Sequence, residues 1–337
     1  MASSASDTPD AGRPRNRRKR WIRNGIALAV IGVVAWFFGR TLAANWDSLQ
    51  EQDLSLGWWA LGATVLFVVA VAVSGSMWGS LLHRLTGTRI SQAEAIQAHY
   101  RAWLLKYIPG QVGFVMSKVV WGKARGLSRF KVLLSVVYEN AFLLLGSTVP
   151  MIAILLLARG GAGDVSGTVW IALAAMVPLA AAMHPAVLSR VMTVLGKRTL
   201  GRAVPSSELL STRTALTYQV GFLIPRVING VGVVIIAVAL ADAAPESWIP
   251  LAAAYAIAGA VGIMAVFVPS GLGVRESVFV LFAAPYLGAD MAILVSLVAR
   301  VLATFADVLI AAIYLGLAGV ARRRAGSTGS LPPKENS

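Results

Sequence analysis

The sequence predicts an all-α polytopic membrane protein with about six full transmembrane helices and two re-entrant helical hairpins arranged as an inverted repeat. Counting each hairpin once gives eight membrane segments. Three observations predict this class. Hydrophobic residues make up 57% of the 337, against about 45–50% apolar in soluble domains even with glycine included, and the mean hydropathy is +0.71. Seven basic residues between 13 and 23 run directly into an apolar stretch at 25–44. Pro-Gly turns interrupt two further apolar stretches, at 106–113 and 268–276.

The turns read Lys106-Tyr107-Ile108-Pro109-Gly110-Gln111-Val112-Gly113 and Val268-Pro269-Ser270-Gly271-Leu272-Gly273-Val274-Arg275-Glu276. Proline removes a backbone donor and glycine permits positive φ, so both turns free backbone polar groups. At membrane depth such backbone persists only where protein buries it or where it lines a wet cavity. Pro109, Gly110 and Gly113, and Pro269, Gly271 and Gly273, are therefore expected as hairpin turns beside a polar cavity. The limb leaving the second turn is about ten residues, roughly 15 Å of helix, half the hydrocarbon thickness.

Composition narrows the chemistry. The absence of cysteine excludes disulfides, thiolate metal sites and cysteine nucleophiles. His83, His99 and His184 have no metal-ligand spacing, so neither a metal nor a cofactor is expected. No phosphate-binding Gly-x-x-x-x-Gly-Lys-Ser/Thr loop occurs. The net charge of +15 suggests a nucleic acid, but its placement argues otherwise. On the predicted topology 25 of the 30 basic residues fall on one side, and only Arg40 and Arg159 on the other, beside seven acids. The positive-inside rule then places both termini in the cytoplasm, and no nucleic-acid partner is expected.

Taken in order, residues 1–23 form a basic cytoplasmic tail and the first span runs over 25–44. A signal peptide shares the basic start, but this segment is long and its Leu42-Ala43-Ala44 site weak, favouring an uncleaved span. The second span, 57–82, opens on interfacial Trp58-Trp59 and carries Gly75-x-x-x-Gly79, readable as a dimer seam or as packing inside the bundle, the latter favoured. The first hairpin region covers 91–131, with Trp103, Tyr107 and Trp121 expected as interfacial anchors, and Lys106, Lys118 and Lys123 as either a basic vestibule or a charged cytosolic face. Spans follow at 132–158, 169–188 and 214–240, with Pro205-Ser206-Ser207-Glu208 capping a short surface helix before the last of these. The second hairpin covers 249–286, and the final span, 290–320, precedes a disordered tail at 321–337.

Span, span, hairpin, span thus occurs twice, as repeat one (24–158) and repeat two (168–320) within a membrane domain of 24–320. Pro109 and Pro269 lie 160 residues apart (269 minus 109). Inverted repeats whose broken helices meet near the midplane build the substrate site of many transporters. The ionisable residues left at membrane depth are Arg226, Arg275 and Arg300 with Glu139, Glu276 and Asp307. Such groups cost roughly 3 kcal/mol each on insertion scales and face the bundle interior. With Lys106 and Lys118 they form the candidate substrate-binding set, in which Arg226 and Arg275 hold a phosphate while an acid exchanges partners or protons. The alternative, ion pairs that fix helix register, stays open for each residue.

At Tyr107-Ile108-Pro109-Gly110-Gln111-Val112-Gly113 and Pro269-Ser270-Gly271-Leu272-Gly273-Val274-Arg275-Glu276 the chain resembles the flippase-like transmembrane region of lysylphosphatidylglycerol synthases and their stand-alone relatives, over roughly residues 25–320. Pro269-Ser270-Gly271 departs from the more usual Pro-Gly-Gly. The resemblance implies a multi-pass protein of the cytoplasmic (inner) membrane that moves lipids between leaflets, and the short sequence after the last basic cluster implies no aminoacyl-transferase chemistry. The expected ligand is a membrane lipid, an anionic phospholipid or a polyprenyl-linked head group. A homodimer or a lipid-modifying enzyme is the candidate protein partner. The rival reading is a non-transporting partner of such an enzyme or of a glycosyltransferase. An enzyme is not expected, since no nucleophile-and-base pair stands out.

Overall fold

The computed structural model describes residues 57–107, 112–159, 208–265, 271 and 273–328, with isolated helical positions at 187, 190, 193 and 194. The first span, the span expected at 169–188 and the turn residues Pro109, Gly110 and Pro269 lie outside the described residues. Among those described, all regular structure is helical. The α-helices are α1 (Trp58–Thr86), α2 (Gln92–Leu104), α3 (Val112–Lys123), α4 (Arg129–Arg159), α5 (Thr212–Gly221), α6 (Ile224–Ala241), α7 (Pro245–Met264), α8 (Val274–Leu287) and α9 (Ala289–Thr328), with a 3-10 turn at Leu105–Tyr107 after α2. Five stretches are long and apolar enough to cross a membrane: α1, the first part of α4, α5 with α6, α7, and α9 to Leu317. At 1.5 Å per residue α2 and α3 are about 20 and 18 Å long and α8 about 21 Å, against a hydrocarbon core of roughly 30 Å.

Local chemistry sets the boundaries. Ser91 caps α2 by accepting from the Glu94 amide, while Glu94 Oε2 accepts from the Ser91 amide at 3.3 Å, a capping box. The span expected as one helix over 214–240 breaks at Phe222–Leu223, because Pro225 has no amide proton for the Gly221 carbonyl. The last helix continues to Thr328, past the boundary expected at 320.

The helices pack without a solvent-driven hydrophobic effect between them, so close contact has to supply the energy. Small residues sit where helices cross. A Cβ at Gly75 would come within 2.9 Å of His99 Cβ, one at Gly79 would overlap Ala95, and one at Gly230 would meet Ala252 at 2.8 Å. The Gly75-x-x-x-Gly79 face therefore packs inside the bundle, between α1 and α2. The main apolar core joins α1, α6, α7, α8 and α9 around Phe67, Tyr255 and Phe279, whose rings contact in series at 6.1 and 5.9 Å. A second cluster holds Tyr138, Phe142 and Phe222 between α4 and α5. Outward faces are apolar too: Leu61, Val65 and Val69 on α1, Val227 and Val231 on α6, Val301, Phe305 and Val308 on α9 are exposed. In water such stripes would be a liability; against lipid they are the expected surface.

Candidate functional site

A cavity of about 630 Å³, its open mouth included, lies among α1, the end of α2, α6, α7, α8 and α9. Its charged lining among the described residues is Lys106, Arg226, Arg275 and Arg300, with Asp307 as the single acid. Each is positioned by a local feature. Lys106 sits on the 3-10 turn ahead of Pro109, where proline disfavours continuation of the α-helix. Its Nζ lies 2.9 Å from Asp307 Oδ1 and 2.8 Å from Oδ2, and Trp103 Nε1 donates to Oδ1 at 2.7 Å. Asp307 is thereby clamped from two donors.

Arg226 follows Pro225 in the first turn of α6, opposite Gly259, where a Cβ would stand 2.8 Å from Nη1. Its Nε and Nη2 are buried and have no hydrogen-bond partner among the described residues. Arg275, in the first turn of α8, lays its guanidinium over the Tyr255 ring at 4.3 Å. Arg300 Nε is 3.7 Å from Glu276 Oε1, while Glu276 Oε2 accepts from the Gly273 amide at 2.7 Å. Glu276 is thus divided between an ion pair and the start of α8. Gly273 has φ +82° and Gly271 φ +65°, and Gly271 also packs against the Gly262 backbone, where a Cβ would stand 2.7 Å from Gly262 Cα. Both positions need glycine. Gly113, by contrast, lies inside α3 and is buried.

A second charged cluster lies at the junction of α2, α3 and α4. Lys118 Nζ donates to Glu139 Oε2 at 2.6 Å, with both side chains almost wholly buried. The ammonium also lies over the rings of Trp78 and Phe114, at 4.1 and 4.3 Å. His99 Nδ1 is 3.5 Å from Glu139 Oε1, too far for a good hydrogen bond.

Five of the eight predicted residues therefore come together at the cavity: Lys106, Arg226, Arg275, Arg300 and Asp307. Glu276 adjoins them through Arg300, and Lys118 with Glu139 forms the separate pair. Of the three lysines expected as a vestibule or a cytosolic face, Lys118 is fully buried against Glu139, Lys106 is partly buried at the cavity wall beside Asp307, and Lys123 is exposed. The indoles of Trp103 and Trp121 both make contacts within the bundle. Trp103 serves Asp307, and Trp121 packs edge-on against Trp78 at 5.6 Å with Arg125 over its ring. Sequence reasoning missed Trp103 and Tyr255 at the cavity, and His99 beside the separate Lys118–Glu139 pair. His99, Trp103 and Lys106 stand at i, i+4 and i+7, a one-face spacing that signals their shared environment.

Comparison with curated proteins yields no match. Comparison with family models does: the lysylphosphatidylglycerol synthase TM region matches residues 24–311. An apolar helical bundle built around buried charges, matched over most of its length, makes this chain a multi-pass membrane protein belonging to that family.

Proposed function

We propose that the protein carries lipids between the leaflets of the cytoplasmic membrane, passing an anionic head group through the cavity while the tails stay in the bilayer. The observation that carries this reading is the charge of the cavity: four basic side chains and one acid among its described lining. Asp307 engages Lys106 and Glu276 engages Arg300, which leaves Arg226 and Arg275 to face an incoming anion. Arginine pairs with phosphate through two parallel charge-assisted hydrogen bonds, about twice as strong as neutral ones. Either an anionic phospholipid or a polyprenyl-linked phosphate supplies that group. A lysyl-esterified head group, with two amines to one phosphate, suits this lining less well. A carrier of this kind performs no covalent chemistry.

The helix contacts support an inverted repeat with two re-entrant hairpins. Exchanging α1 with α5 and α6, α2 with α7, α3 with α8, and α4 with α9 turns the set of packed pairs nearly into itself: α1–α2 answers α6–α7, α2–α3 answers α7–α8, α3–α4 answers α8–α9, and α2–α9 answers α7–α4. The ion pairs follow the same rule with their signs reversed. Lys118 with Glu139 on α3 and α4 answers Glu276 with Arg300 on α8 and α9, at offsets of 158 and 161 residues. Helices α2 and α3 are the limbs of the first hairpin and α7 and α8 those of the second, α2, α3 and α8 being too short to cross, and both termini face the cytoplasm.

Reconstituted liposomes carrying fluorescent phosphatidylglycerol test the proposal. Wild type transfers the lipid between leaflets, and Arg226→Ala and Arg275→Ala each slow transfer by about 10- to 100-fold, the equivalent of one charged hydrogen-bonded contact. Absence of transfer for anionic, zwitterionic and polyprenyl-phosphate lipids alike overturns it. Co-purification of one lipid-modifying enzyme in fixed ratio would then favour a docking role.

A further inference from the structure

The pair Lys118–Glu139 lies outside the cavity, and the lipid-carrier reading gives it no task. Its surroundings are unusual. Glu139 Oε1 and both ring nitrogens of His99 are buried and lack hydrogen-bond partners among the described residues, as does Ser117 Oγ. Buried polar groups are nearly always paired, and exceptions call for a reason. Here an acceptor oxygen and an imidazole nitrogen face one another at 3.5 Å beside an ammonium already committed to the other carboxylate oxygen.

Trp103 connects this cluster to the cavity. Its ring stacks on His99, with centroids 6.3 Å apart; Lys106 Nζ lies 4.1 Å from the same ring; and its Nε1 donates to Asp307. The other ionisable neighbours lie elsewhere. From α1 the cluster meets Trp78, whose Nε1 donates to Ser135 Oγ, while His83 and Arg84 of that helix are exposed. On α2, Tyr100 packs toward Val71 and Ile310, and Arg101 is exposed. On α3, Lys123 is exposed at the far end. On the α5 side, Tyr138 accepts from the Leu210 amide and packs with Tyr218. On α7, the residues packed against α4 are the apolar Ala253 and Ile257.

We propose that His99 and Glu139 form a proton-binding site whose occupancy is coupled to the anion in the cavity, so that lipid transfer runs with a proton. The coupling rests on the carrier function proposed above. With Lys118 charged, Glu139 ionised and His99 neutral, the cluster is net neutral. One proton on His99 turns Nδ1 into an obligate donor toward Glu139 Oε1 and brings the cluster to +1; its release restores the starting state. The imidazolium and Lys106 then share one indole as two cations in contact with the same ring, which loosens Lys106 from Trp103 and Asp307 and raises the pull on an anion. By linkage, an anion in the cavity favours the proton equally.

Two measurements test this. In wild-type liposomes a one-unit pH gradient changes the transfer rate by up to about tenfold per coupled proton, and His99→Gln, which leaves the Lys118–Glu139 pair in place, transfers at a rate indifferent to the gradient. Transfer by wild type that ignores the gradient overturns the proton coupling while leaving the carrier function standing. The second measurement needs no transport. In detergent, the isotope-labelled histidine signal lost in His99→Gln moves from imidazole toward imidazolium when short-chain phosphatidylglycerol is added at fixed pH. A His99 signal unmoved by that lipid overturns the coupling even if liposomes show no transfer, a result that counts against the carrier function alone. Should His99→Gln melt early, His99→Asn replaces it.

Discussion

At the scale of single residues, the sign and place of each charge decide what it does. Lys118 is fully buried and its ammonium contacts one carboxylate and two aromatic faces. Replacing it with methionine strands Glu139 as a lone buried anion, a change that costs roughly 3–5 kcal/mol when one partner of a buried pair is removed. Lys118→Met is therefore expected to lower the melting midpoint sharply in detergent, and adding Glu139→Leu is expected to restore most of the loss; a double variant as unstable as the single one would mean that the pair is not the unit. The six ionisable residues within apolar runs were legible because charge is rare in such segments. Their partners were not. Lys106 and Lys118 sit among other basic residues, and a linear count assigns them all to one face. Only the helical spacing of His99, Trp103 and Lys106 betrays an inward side, and each of those residues has a bland explanation when taken alone.

At the scale of elements, glycine and proline set how closely helices approach and where they break. The crossing of α1 and α2 depends on Gly75 and Gly79, while Gly62, on the same helix, has nothing within 4 Å. Gly79→Ala drives a methyl into Ala95 and is expected to destabilise by about 1–3 kcal/mol, the usual cost of overpacking. Gly62→Ala is expected to be neutral or to stabilise by up to about 1 kcal/mol, since alanine is the better helix former and the site is open. Equal melting midpoints for the two variants would refute this assignment of the crossing. The motif's spacing was visible in the sequence, but which neighbour it meets depends on helix rotation, which spacing leaves open. The break before Pro225 is the complementary case. A proline inside an apolar run signals a kink or an interruption, and the path of the chain decided for an interruption, placing Arg226 in the first turn of a new helix and at the cavity wall.

At the scale of the whole molecule, the charge asymmetry and the helix contacts can be asked the same question independently. Setting aside Lys106 and Lys118, which engage acids within the bundle, 23 basic residues remain on the proposed inner side against Arg40 and Arg159 on the proposed outer side. The proposed orientation thus does not turn on Lys106 and Lys118, because the rule responds to a surplus and not to any one lysine. The paired contacts of the two proposed repeats make a sharper claim: if the sets are inverted, the two ends of the first proposed hairpin open on one face of the membrane and the two ends of the second on the other. The chain has no cysteine, so single cysteines report position against a silent background. Ser91 and Ala124 flank α2 and α3, Trp248 and Ala289 lie at the two ends of α7 and α8, and all four are exposed. In intact cells a membrane-impermeant thiol reagent is expected to label Trp248→Cys and Ala289→Cys, and to reach Ser91→Cys and Ala124→Cys only after the membrane is opened. Labelling of Ser91→Cys and Ala124→Cys from opposite faces would require α2 and α3 together to cross the bilayer, and the mirrored contacts would then arise from two unlike topologies. Labelling of all four from one face would keep the hairpins but remove the inversion, and with it the reason for expecting Lys118–Glu139 and Glu276–Arg300 to lie at comparable depths on opposite sides of the midplane.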